Sequence, residues 1–197
     1  MIQIDTKNSL KNWADTLEIA GHNMDIVFIA ESVDNYIWFM TNYFQFLVRA
    51  GGNEVIHIPG DLIKNAADFV SVINYTIPIG YEFIVDYHAI QDCLFGFETE
   101  PMSRYFFWSN SYRMLEENAE EFASLFEILV TTAYCNRNGL STVKEDGHLY
   151  SVNQKNLFFF LNKNMNDLKS LVDKEFLIPS INGQQCKKLD FLFVELI

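Results

Sequence analysis

The sequence predicts an α+β fold, a small and mostly antiparallel sheet packed against several helices, and three stretches carry that expectation. Residues 32–50, SVDNYIWFMTNYFQFLVRA, read as a helix with large apolar groups on nearly every side, which makes it the buried central helix. Residues 80–88, GYEFIVDYH, alternate in the manner of a half-buried strand: Tyr81, Phe83, Val85 and Tyr87 face one way. Glu82, Ile84, Asp86 and His88 face the other. Residues 111–136 repeat apolar groups at Leu115, Ala119, Phe122, Phe126, Leu129 and Ala133, a single seam along one long amphipathic helix.

The remaining elements follow in chain order. Ser9 to Ala20 reads as a short amphipathic helix with Leu10, Trp13, Ala14 and Leu17 on one face, and Gly21 stops it. DIVFIA, residues 25–30, is a short apolar run that fits a buried strand. In the central helix Val33, Tyr36, Ile37, Met40, Phe44 and Leu47 make the stripe. Ser32 suits its N-cap, Arg49 its last turn and Gly51 a left-handed position after it. Residues 54–58 read as a strand ended by Pro59-Gly60, and Asp61 as the cap of a helix reaching about Asn74. RYFFW, residues 104–108, is strand-like. The loop at 136–147, NRNGLSTVKEDG, is the candidate subdomain boundary in an otherwise single domain of 197 residues. Residues 152–161 and 167–176 read as one helix interrupted at 162–166 or as two short ones, and LDFLFVEL, residues 189–196, as a largely buried strand.

Composition bounds the function. With 49% of residues apolar, the chain can bury a sizeable core without disulfides or metals. Its N-terminus lacks a basic segment followed by an apolar run. The 36–48 run is shorter than the roughly 20 residues a membrane span needs. Three scattered cysteines, Cys93, Cys135 and Cys186, give no disulfide framework and no C-x-x-C pair. A reducing cytoplasm is the simplest setting.

The net charge of −12 is unevenly spread. Residues 1–100 hold 14 acidic and 4 basic side chains, against 12 and 10 in residues 101–197. Such a field repels nucleic acid and anionic membrane and steers a basic partner. The outer face of the 111–136 helix adds Glu116, Glu117, Glu120 and Glu121, with Glu116–Glu120 and Glu117–Glu121 as like charges at i, i+4. A solvated helix face is the bland account of that row, and a docking face for a cationic surface the sharper one.

Catalytic signatures are absent from the sequence. No metal-ligand spacing joins the four histidines, and there is no phosphate loop or nucleophile elbow. The one suggestive cluster is Asp86, His88, Asp92 and Cys93, where a carboxylate beside an imidazole and a thiol would suit an enzyme or small-molecule binder. The leading expectation is instead a non-enzymatic, cofactor-free inhibitor of the immunity-protein or antitoxin type, occluding a basic toxin or nuclease. Its expected partner-binding residues are Glu82, Asp86, His88, Glu116, Glu117, Glu120 and Glu121. An acidic mimic of nucleic acid is a further alternative.

Overall fold

The computed structural model describes residues 1–6, 10–76, 89–95, 101–140, 147, 151–180 and 183–197. Their main feature is a six-stranded sheet in which every neighbouring pair is parallel. Its strands are β1 (Ile2–Ile4), β2 (Asp25–Ala30), β3 (Asn53–Pro59), β4 (Ser103–Ser109), β5 (Asn153–Leu161) and β8 (Phe191–Leu196). They lie side by side in the order β1-β8-β2-β5-β4-β3. Strands β6 (Glu175–Ser180) and β7 (Gly183–Lys188) form a separate antiparallel ribbon.

The mostly antiparallel sheet read from sequence is therefore wrong, and the reason is physical. Parallel strands are covered on both faces, so they read as continuous apolar runs rather than alternating ones. DIVFIA in β2 is buried at every position, and β5 is buried from Gln154 to Phe160. The same rule explains why residues 152–161 were misread as helix: an apolar run of that length has no diagnostic period. Flanked by β2 and β4, the run becomes an inner strand. Likewise 167–176 divides into the helix α7 (Met165–Val172) and the start of β6.

Helices α1 (Leu10–Ala20) and α2 (Val33–Arg49) cover one face of the sheet. There Phe28 of β2 stacks on Phe159 of β5 at 4.7 Å, and Phe39 and Tyr43 of α2 close over them with Trp13 of α1. On the opposite face α3 (Ala66–Thr76) brings Phe69 against Trp108. Helix α6 (Ala119–Arg137) adds Phe122 and Phe126 against Trp108 and Phe158, and the ribbon adds Phe176 against Phe191.

Helix α2 is thus a covering helix rather than a central one. Tyr36, Phe39, Tyr43 and Leu47 form its inner stripe, while Ile37, Trp38 and Val48 are each about half exposed at 49, 47 and 54%. The left-handed residue after it is Gly52, with φ +85°, not Gly51. Helix α3 begins later than expected, with Asn65 rather than Asp61 accepting from the Asp68 amide. The long 111–136 helix is broken in two: α5 (Tyr112–Glu117) and α6 meet at Asn118, whose backbone leaves helical angles at φ −151° and ψ 82°. The short helix α4 (Ala89–Phe95) packs near α6. Strands from both sides of the 136–147 loop join the one sheet. Among the described residues no helix is long and apolar enough to cross a membrane.

Candidate functional site

All six parallel strands end at one edge of the sheet. Between β2 and β5 the connections part: β2 leads to α2 on one face, and β5 leads through α7 to the ribbon on the other. Neighbouring strands whose connections diverge leave a crevice at their carboxyl ends, the usual ligand position in open α/β sheets.

The residues around this crevice are tied together by side-chain bonds. Gly60, after β3, passes so close to β4 that a Cβ would fall within 2.6 Å of the Asn110 carbonyl oxygen. Asn110 itself is left-handed, φ +51°, a conformation asparagine tolerates better than most residues. Its amide works in two directions: Oδ1 accepts from the Tyr36 hydroxyl, and Nδ2 donates to Asp61 at 2.7 Å. Burial, and then the neighbouring Tyr112, push the Tyr36 phenol well above its ordinary value, so it remains a neutral donor. Arg113 pairs with Asp61 at 2.8 Å. Ser111 Oγ donates to the Phe159 carbonyl at 2.9 Å and accepts from the Phe159 amide at 2.8 Å, fixing the start of α5 on β5.

The edge is acidic. Glu31 accepts from Asn162 Nδ2 at 2.8 Å, and Glu116 accepts from Lys163 and Asn164 at 2.8 and 2.9 Å. Burial works to raise the Glu116 pKa, but the hydrogen bonds from Lys163 and Asn164 and the nearby cations outweigh it and hold the carboxyl below its ordinary range. Asp34 and Glu117 stand exposed beside these paired acids. Asp34 also sits one helical turn before Ile37 and Trp38, so the three share the outer face of α2.

The seven residues singled out from sequence fare unequally. Glu82, Asp86 and His88 lie outside the described residues, as does the clearest expected strand. Asp92 and Cys93 fall on the backbone of α4. The four glutamates do not form one row, because the break at Asn118 removes the i, i+4 spacing. Glu121 is used internally: it accepts from the Ala66 amide at 2.5 Å, capping α3, and its own amide donates to Asn118. Glu116 belongs to the carboxyl edge, Glu117 is exposed next to it, and Glu120 is exposed on the first turn of α6. Asp34 and Trp38 were missed because a helix apolar on nearly every side is expected to be buried, and Glu31 precedes that helix in the turn after β2.

A second polar contact lies on the same edge, where His57 Nε2 meets Ser109 Oγ at 2.9 Å. Desolvation lowers the His57 pKa, favouring the neutral ring. Ser109 is only 5% exposed. Among the described residues no three His, Cys, Asp or Glu side chains converge to hold a metal ion. No protein-family model matches this chain, and no curated protein matches it.

Proposed function

We propose that this protein is a non-enzymatic binding protein that docks a basic surface of a protein partner at the carboxyl edge of its sheet. In that role it would occlude the partner, as an inhibitor of a basic toxin or nuclease does. The observation that carries the reading is the outer face of α2, where half-exposed Trp38 and Ile37 adjoin the exposed acid Asp34. Tryptophan is among the residues that most often anchor interfaces, and carboxylates around such an anchor speed the approach of a cationic partner. The net charge of −12 extends that attraction beyond the contact itself. A reducing cytoplasmic setting belongs to the same reading, supported by the free thiols of Cys135 and Cys186.

The test begins with capture of partners from the native host at low salt, followed by kinetics on the purified pair. Asp34→Lys and Glu117→Lys together are expected to slow association at least tenfold at low salt, with the difference closing as salt rises. Trp38→Ala is expected to act on dissociation instead, weakening the complex by about 2 kcal/mol. Glu116 and Glu121 are left intact because both hold internal bonds. A partner whose binding ignores both changes would end this reading.

A further inference from the structure

We infer that the opposite, amino-terminal end of the sheet holds a binding pocket for a small oxyanion compound, a phosphate ester or a polycarboxylate. A cavity of about 430 Å³ opens there between the α1–β2 turn, the end of α6 and the β7–β8 turn. Such a volume is within the range of small-molecule sites. Its lining includes Arg137, Lys187 and Lys188, three of only 14 lysines and arginines in the chain, together with His22 and a single acid, Asp190. On a protein of net charge −12, three cations in one lining stand out, with Asp25 and Asp173 set against two of them from outside it.

The cationic wall is built rather than loose. The Arg137 side chain is 4% exposed and is gripped by Asp25 through Nη1 and Nη2 at 3.2 and 3.3 Å. Its Nη1 also donates to the Gln154 carbonyl at 2.6 Å, so the guanidinium is held in one orientation beside the cavity. Lys187 donates to the Tyr134 hydroxyl at 2.5 Å and lies over that ring, 4.7 Å from its centre. Lys188 leans toward Asp173 at 3.7 Å and is 65% exposed. Asn138 adds an amide to the same wall. An oxyanion in the cavity would take charge-assisted bonds from Lys187 and Lys188, both of which line it.

The experiment uses the full chain, with pyrophosphate and citrate as separate probes at constant ionic strength set by sodium chloride. Thermal unfolding is followed as each probe is titrated through the low-millimolar range. One of the two is expected to raise the melting temperature saturably, and which one does so separates phosphate-bearing from carboxylate-bearing ligands. In Lys187→Gln/Lys188→Gln the half-saturating concentration is expected to rise at least tenfold. Lys64→Gln/Lys169→Gln, at exposed positions elsewhere, should leave it unchanged. Both anions also stabilise proteins weakly by exclusion from the surface, but that effect does not saturate. Absence of a saturable shift with either probe, or an equal shift in both double variants, would overturn the assignment.

Discussion

Gly60 leaves no room for a side chain, because a Cβ there would collide with the backbone oxygens of Ser109 and Asn110. The obstruction is main chain, which cannot swing aside as a side-chain tip can. Gly60→Ala is expected to cost about 1–3 kcal/mol, the usual range for overpacking, read as a lowered urea midpoint. Gly51→Ala is the control, since nothing lies within 4 Å of its Cβ position. The close approach holds the β3 exit against Asn110, so the same substitution should also disturb the Tyr36–Asn110–Asp61 chain of bonds. At this scale the sequence carried partial information. Pro59-Gly60 was recognisable as a stop, but its pressing on a strand fifty residues away was not. Asp25 shows the same limit: in sequence it is only the first residue of the run DIVFIA, and it becomes a 1% exposed carboxylate holding Arg137 only once α6 ends beside it.

Among the elements, those with a local signature were legible. Helix α1, strands β2, β3, β4 and β8, and the extent of α2 all follow from periodicity, capping residues or apolar runs. Strand β5 was missed because LFFFL satisfies a helix and a buried strand equally until its neighbours are known. The α5–α6 break was missed because the apolar seam continues across it in sequence. Asn118 makes that break stable, its side chain accepting from the Glu121 amide at 3.2 Å. Asn118→Ala removes the cap and is expected to cost about 1 kcal/mol by chemical denaturation. The substitution also favours a continuous helix through 118, which would carry Glu116 away from Lys163. Loss of the Lys163 contact would appear as a Glu116 carboxyl resonance titrating at higher pH than in the parent.

For the whole molecule, strand order distributes charge as well as apolar surface. The exposed acids Asp34 and Glu117 lie toward the end where the strands finish and Lys187 and Lys188 toward the end where β8 begins, separated by about 20 Å for a six-residue strand. None of this was readable from the chain, because the all-parallel order depends on pairings such as Ile2 with Val194 and Ile26 with Leu157. Topologies dominated by such distant pairings form slowly and expose apolar surface while they do. Refolding from urea is expected to pass through a species that binds a hydrophobic dye before native tryptophan fluorescence returns. A single-phase recovery without dye binding would contradict that expectation. The consequence is sharpest for β2. Its two neighbours, β5 and β8, are made more than a hundred residues after it. At a synthesis rate of roughly 5–20 residues per second, DIVFIA waits on the order of ten seconds with both edges open. A nascent chain of this kind is a natural client for a chaperone that grips short apolar strands, and its yield in the cell should depend on translation speed between residues 30 and 153.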